Sequence, residues 1–371
     1  MQLAAQRAHL SSLADAGRLR TLRPRAGVDL SSNDYLALAG SARLADAARA
    51  ALARGVALGS GGSRLLRGND AEHEALEAEG ARFFGAEAAL FFGSGYAANG
   101  ALLSALPQPG DLVVYDALVH ASMHDGMRLG RARCVAAAHG DAQAVDDAIA
   151  AWRAEGGAGT PWIAVESLYS MDGDRAPLDA LAAVADRHDA MLVVDEAHAT
   201  GVWGEGGRGF AAALGGRANV VTLNTFGKAL GCEGALLCGP AIVRDFLVAR
   251  ARPFIFSTAP APLSAAVARA ALAAVADEPQ RRADLHALIA AAERHLTPLG
   301  ARVASQIVPL VIGDDRAAMR VAAAVQAAGF DVRGIRPPTV PPGTARLRIA
   351  LTLHVTPGDI AALADVLEQV L

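Results

Sequence analysis

The chain has 371 residues with 34 basic and 38 acidic side chains, a net charge of −4, which argues against a general nucleic-acid coat and against a protein held on anionic membranes by charge. At 53% hydrophobic and 19% charged residues it can bury a full core without cross-links, and disorder is excluded for the chain as a whole. The three cysteines, Cys134, Cys232 and Cys238, form no CxxC pair, so neither a disulfide framework nor a Cys-rich zinc site is expected, and a reducing cytoplasm fits best.

The first 40 residues read as an amphipathic helix carrying Leu3, Leu10 and Leu13, then a short strand. They are too few to form a core and are expected to pack on the rest of the chain or on another subunit. Gln6, Arg7 and His9 interrupt any apolar leader, so no targeting segment is expected. From residue 41 to about 245, short β-rich runs alternate with helical patterns. Ala88 to Phe92, Leu112 to Tyr115, Trp162 to Glu166, Met191 to Asp195 and Val220 to Asn224 read as strands. Asp141 to Ala154 and Leu178 to Arg187 read as helices between them. The strands are almost continuously apolar, which predicts an α/β domain with a mainly parallel sheet covered on both faces. From 246 to 371 three helical patterns come in succession. Short strands near Ile307 to Val311, Asp331 to Ile335 and Arg346 to Leu351 and a last helix follow, giving a smaller α+β domain. The apolar stretch Ala261 to Ala276 carries Arg269 near its middle and is not a membrane span.

Chemistry-bearing residues collect at the C-terminal ends of the predicted strands, where open α/β sheets bind ligands. Gly93-Ser94-Gly95-Tyr96 ends one strand and opens a helix whose N–H groups suit a phosphate. With Ala98, and with Asp116 about 20 residues on, the segment also fits a dinucleotide fingerprint, so an NAD-dependent oxidoreductase using Gly93, Gly95 and Asp116 is a rival reading. Asp195 ends the strand Met191 to Asp195 and is followed by Glu196, Ala197 and His198; by itself this is either a site or a helix cap beside a solvated histidine. Lys228, after Thr225-Phe226-Gly227, is the single lysine of a chain that otherwise uses arginine. Arginine forms no Schiff base, so an amine kept at a strand end points to a nucleophile; the alternative is a lysine that snorkels to solvent. The segment is not a phosphate-binding P-loop, because Thr222 stands where that loop needs glycine. A phosphate-type turn, His120, a strand-end aspartate and one lysine together match what pyridoxal phosphate requires, whereas the dinucleotide reading leaves Asp195 and Lys228 without a task.

The sequence resembles the α-oxoamine synthases of the fold-type I pyridoxal phosphate enzymes. The resemblance rests on Ser31 to Leu36, Gly59 to Arg64, Ser94 to Asn99, His120 to Ser122, Ser170 to Asp174, Asp195 to His198, Thr225 to Lys228 and Ile335 to Pro341, in the family's order over nearly the whole chain. It implies a homodimer with pyridoxal 5'-phosphate as cofactor and Lys228 as Schiff-base lysine and catalytic base. It also implies that Asp195 pairs with the pyridine nitrogen, that His198 reaches the ring hydroxyl, and that His120 stacks on the ring. Gly95, Tyr96, Ser170 and Thr225 would line the cofactor, while Arg20, Asn33, His120, Thr339 and Arg348 would contact substrates, with Arg348 preferred over Arg336 and Arg346 as the carboxylate clamp. The stretch Arg336 to Arg348 is most similar to the biotin-pathway branch, which condenses L-alanine with a pimeloyl thioester on coenzyme A or acyl carrier protein. Ser63 fits that branch better than the aminolevulinate synthases, where threonine is expected. Glycine C-acetyltransferase and 5-aminolevulinate synthase activities are the alternatives within the family. Neither nucleic acid nor membrane is an expected partner.

Overall fold

The computed structural model describes residues 2–22 and 24–371. They gather into two units. The smaller comprises the chain up to Tyr35, Met171–Gly173 and Ala283–Leu371; the larger comprises Leu36–Ser170 and Asp174–Arg282. This division differs from breaks at 40 and 245. The N-terminal segment belongs to the same unit as the C-terminal residues, and the larger unit extends to Arg282. The change of sequence texture near residue 246 marks where the sheet's strands end, but the helices that follow still pack on that unit.

The smaller unit opens with helix α1 (Ala4–Asp15) and strand β1 (Val28–Asp29). The helix is present as expected, yet none of its residues is fully buried: Leu3 and Leu10 are exposed and Leu13 is half-buried.

The larger unit carries α2 (Ala42–Ala53), α3 (Ala71–Phe84), β2 (Ala88–Phe92), α4 (Gly95–Ala105), β3 (Leu112–Asp116), α5 (Ala121–Leu129), β4 (Arg133–Ala137) and α6 (Ala142–Ala154). It continues with β5 (Pro161–Glu166), α7 (Leu178–His188), β6 (Met191–Asp195), β7 (Val220–Thr225), β8 (Ala235–Gly239), α8 (Ala241–Arg250), α9 (Arg252–Ile255) and α10 (Pro262–Asp277). The sheet has the order β2-β8-β7-β6-β5-β3-β4, and β8 runs antiparallel to both its neighbours while the other pairings are parallel. All five expected strands are present, and two more join them. Strand β4 lies at an edge with only Ala137 buried, so it shows no continuous apolar run. Strand β8 follows β7 too closely for a crossover helix, and such a short return can only pair antiparallel.

Successive residues of the buried strands feed opposite faces of the sheet. Val113, Val193 and Leu223 pack with Leu102, Met123 and Phe254 on one face. Val114, Val194 and Ile163 pack with Ile149, Trp152 and Leu181 on the other. Full burial of each such side chain is worth roughly 1.5–3 kcal/mol. Helix α10 packs against α2 and α3, with Arg269 paired to Glu72 at 2.6 Å and Glu79 at 2.7 Å.

The chain returns to the smaller unit within α11 (Pro279–Leu296). There β9 (Ile307–Gly313), α12 (Asp315–Ala327), β10 (Phe330–Asp331), β11 (Arg333–Ile335), β12 (Ala345–Ala350) and α13 (Pro357–Val370) follow. Strands β11-β12-β9 form an antiparallel sheet, and β10 pairs in parallel with β1. Among the described residues no helix is long and apolar enough to cross a membrane.

Candidate active site

Five parallel strands of the large sheet deliver polar residues from their C-terminal ends, as an open α/β sheet does at a ligand site. Strand β2 leads to Ser94 and Gly95, β3 to Asp116 and then His120, β5 ends on Glu166, β6 on Asp195 and β7 on Thr225. Gly95, Tyr96, Asn99, His120, Ser122, Glu166, Asp195, Ala197, His198, Leu223, Thr225 and Lys228 line one cavity. Seven of the eight expected cofactor residues are in that set. Ser170 is not, but its backbone N–H donates to Glu166 Oε2 at 3.2 Å.

Local chemistry fixes each contribution. Ser94 caps α4, its hydroxyl accepting the Ala97 N–H at 3.2 Å, and the first N–H groups of α4 are those a helix cannot bond internally. His120 caps α5; its Nδ1 accepts the Ser122 N–H at 3.2 Å and lies 2.8 Å from Ser122 Oγ. The Tyr96 ring meets His120 edge to face at 6.4 Å, and the Tyr96 hydroxyl bonds Asp125. Lys228 sits in the β7–β8 connection. Fully buried Phe226 anchors that connection, which is closed by Phe226 N–H to Gly234 O at 2.8 Å, Cys232 N–H to Phe226 O at 2.8 Å and Gly231 N–H to Lys228 O at 2.9 Å. Gly231 has φ +63°, and a Cβ there would lie 2.2 Å from the Ala39 nitrogen, so only glycine completes the lysine's turn.

Asp195 is buried and oriented on both oxygens. Ala197 N–H donates to Oδ1 at 2.9 Å and Asn99 Nδ2–H to Oδ2 at 2.7 Å, while Asn99 also donates to Ser122 Oγ at 3.0 Å. Beside it, Glu166 pairs with Asp195 across β5 and β6. Burial first, then the Asp195 charge, pushes the Glu166 carboxyl well above its ordinary value, so its protonated form is favoured. Desolvation by the surrounding protein lowers His120 below the usual histidine range, although Asp195 opposes this, and the charge of Lys228 lowers it further. Its ring is thereby held toward the neutral form.

The sequence does not single out Asn99, Ser122 or Glu166 as site residues, yet all three line the cavity. Asn99 was legible in principle, because it stands four residues after Gly95 on one helix face. Glu166 ends a strand as Asp195 does, but it shows its role only once β5 and β6 are neighbours.

Four of the five expected substrate contacts form two pairs in the smaller unit, the fifth being His120. Arg20 Nη2–H donates to Thr339 Oγ1 at 2.9 Å, and Arg348 Nη2–H donates to Asn33 Oδ1 at 3.0 Å. Arg346 is buried and committed to Asp172 at 2.6 Å and the Met171 carbonyl at 3.2 Å, and Arg336 donates to the Leu19 carbonyl at 3.1 Å. The rival dinucleotide reading loses its ribose partner. Asp116 accepts from His139 Nδ1 at 2.9 Å, Gly140 N–H at 2.7 Å and Leu118 N–H at 2.8 Å, which occupies the carboxylate.

The donor set suits pyridoxal phosphate. An amine, an oriented carboxylate, a helix N-terminus and a neutral imidazole face one space, in which Asn99 Oδ1 and Glu166 Oε1 are buried without a hydrogen-bond partner. Such orphaned buried atoms call for a polar group in the cavity.

Residues 25–367 match the family of class I and II aminotransferases. The 8-amino-7-oxononanoate synthase of Anaeromyxobacter dehalogenans (strain 2CP-1 / ATCC BAA-258) is 47% identical, over 97% of this chain and 94% of that protein. That of Mycobacterium sp. (strain JLS) is 44% identical, over 98% and 96%. The chain belongs to the 8-amino-7-oxononanoate synthase family. Like the other members of that family it is a transferase with the fold-type I architecture. A serine palmitoyltransferase of S. paucimobilis with a bound PLP–myriocin aldimine superposes with TM-score 0.90 at 27% identity, over 100% of this chain and 97% of that one. The 8-amino-7-oxononanoate synthase of Francisella tularensis gives TM-score 0.78 at 26% identity, over 92% and 97%.

Proposed function

We propose that this protein uses pyridoxal 5'-phosphate to condense L-alanine with a pimeloyl thioester, releasing carbon dioxide and the free thiol carrier and giving 8-amino-7-oxononanoate for biotin synthesis. The observation that carries the cofactor reading is that the chain's single lysine lines the same cavity as the doubly oriented Asp195. The 47% identity to 8-amino-7-oxononanoate synthases supports alanine and pimelate over other substrates of the wider family.

When bound, pyridoxal phosphate supplies an electron sink for the amino-acid Cα. Asp195 holds the proton on the ring nitrogen, since a carboxylate beside that cation raises its pKa. His198 reaches the ring hydroxyl, the neutral His120 ring offers a stacking face, and Gly95 and Tyr96 at the start of α4 receive the phosphate. Ser170 and Thr225 complete the lining. Lys228 Nζ holds the cofactor covalently and moves the Cα proton. Arg348 takes the alanine carboxylate in a two-pronged pair, with Asn33, Arg20, Thr339 and His120 as further substrate contacts. Arg346 does not serve, because Asp172 already neutralises it. We read the chain as a cytoplasmic homodimer that accepts the acyl group from acyl carrier protein or coenzyme A.

Borohydride reduction of the cofactor-loaded protein tests the first half, and label must appear on the peptide containing Lys228. Label confined to the amino terminus sinks the pyridoxal reading. For substrates, alanine, glycine and serine are offered with pimeloyl, acetyl, succinyl and palmitoyl thioesters, and thiol and carbon dioxide release are followed. Alanine with the pimeloyl thioester is expected to win. A glycine–acetyl or glycine–succinyl preference would move the protein to another branch, and no thiol release from any pair would remove the condensation itself.

A further inference from the structure

Strand β4 lies at the sheet edge and sends no residue into the cavity, yet the loop after it holds an ion triad. His139 donates from Nδ1–H to Asp116 Oδ1 at 2.9 Å and from Nε2–H to Asp174 Oδ2 at 2.9 Å. Its ring also packs at 90° against Tyr169, with centroids 4.4 Å apart. Both ring nitrogens face carboxylates, so both carry protons and the ring is an imidazolium.

The two carboxylates belong to two different cavity-building segments. Asp116 ends β3 and fixes the turn that leads to His120, accepting Leu118 N–H at 2.8 Å through its side chain and Val119 N–H at 3.1 Å through its carbonyl. Asp174 closes the segment that carries Ser170, its carbonyl accepting Tyr169 N–H at 2.9 Å. We infer that His139 is a positioning residue: a charged brace, reaching from the edge loop, that sets the His120 turn and the Ser170 segment against each other. The triad is partly buried, and beyond the stability it contributes, two ion pairs on one ring fix the geometry between the segments that carry the carboxylates. The inference rests on the reading of the cavity as the cofactor site, and its test does not depend on that reading.

The test is amide hydrogen exchange in the full-length protein as purified, comparing wild type with His139→Gln, Asp116→Asn and Asp174→Asn. In His139→Gln, residues 117–124 and 167–174 should both exchange about ten- to a hundredfold faster, while helix α8 in the same unit keeps its wild-type rates. In Asp174→Asn only 167–174 should accelerate, and in Asp116→Asn only 117–124. Wild-type rates in both segments of His139→Gln, or equal acceleration of α8, overturn the inference. So does either aspartate variant loosening both segments or neither. If His139→Gln does not fold, the two aspartate variants decide by the same criterion. The visible circular dichroism of the bound cofactor gives a second reading and should shrink in His139→Gln at full cofactor occupancy. Failure of borohydride to label Lys228 would remove the cofactor reading but would leave the exchange result intact.

Discussion

Asn99 reaches from the second turn of α4 to the end of β6, where its Nδ2–H group donates to Asp195 Oδ2 at 2.7 Å. One helix therefore supplies both the proposed phosphate end of the site and the group that aims the carboxylate. Hydrogen bonds to a charged partner contribute about 1.5–3 kcal/mol. Asn99→Ala should weaken pyridoxal phosphate binding by about one to two decades, measured by absorbance titration of the apo-protein. Unchanged affinity would mean that Ala197 N–H alone orients Asp195.

Asp195 and Glu166 are paired strand neighbours with opposite electrostatic demands, so the same chemical change should affect them differently. On the proposed function, Asp195→Asn removes the charge that would keep the ring nitrogen protonated, and turnover should fall far more than cofactor affinity, because the loss lies in the carbanionic transition state. Glu166→Gln replaces a carboxyl already pushed toward its neutral form by an amide of similar shape, and cofactor affinity at pH 7 should stay within about threefold of wild type. A steep loss in Glu166→Gln would show that Glu166 works as an anion.

Two arginines on β12 should separate just as sharply. Arg348→Ala is expected to raise the alanine KM by about one to two decades and to leave the acyl-thioester KM nearly unchanged. Arg346→Ala strands Asp172 and the Met171 carbonyl, and should lower the unfolding free energy by about 3 kcal/mol in denaturant titration. Equal alanine KM effects from the two variants would reject the division of labour.

The brace at His139 also makes a pH forecast. Its bonds to Asp116 and then Asp174 push the imidazole up to about 10 from an ordinary 6.5. The folded state holds this proton more tightly than the unfolded chain does. The stabilisation is therefore complete below about pH 6.5, declines above it, and is gone once pH passes about 10. Among the groups facing the ring, Asp116 is held below its usual range and burial drives Tyr169 above its own, so neither titrates in that window. Denaturant titrations from pH 7 to 10 should show stability falling with pH in the wild type, with a shallower slope in His139→Gln. Parallel slopes would place the titration elsewhere.

The sequence carried the strands of the large sheet because Leu112 to Asp116, Met191 to Asp195 and their neighbours are apolar on both faces. It also carried the residues at their ends that one could name by chemistry, such as Lys228. What it hid depends on adjacency. Strand β4 has too few buried positions to signal itself, and β8 is visible only as the return arm of the lysine hairpin. Glu166 and His139 acquire partners only when β5 meets β6 and when the edge loop meets Asp116 and Asp174. The unit division was hidden for a related reason, since α8 to α10 change the texture of the chain without leaving the larger unit.

Lys228 is the single lysine in the chain. An endoprotease specific for lysine can therefore cut the denatured protein at one peptide bond, yielding two fragments that meet between residues 228 and 229. A lysine that carries a reduced adduct is no longer a substrate for that protease. After reduction, the fraction of chains left whole on a gel reads directly as the fraction of sites that were loaded, without a chromophore or an assay of turnover.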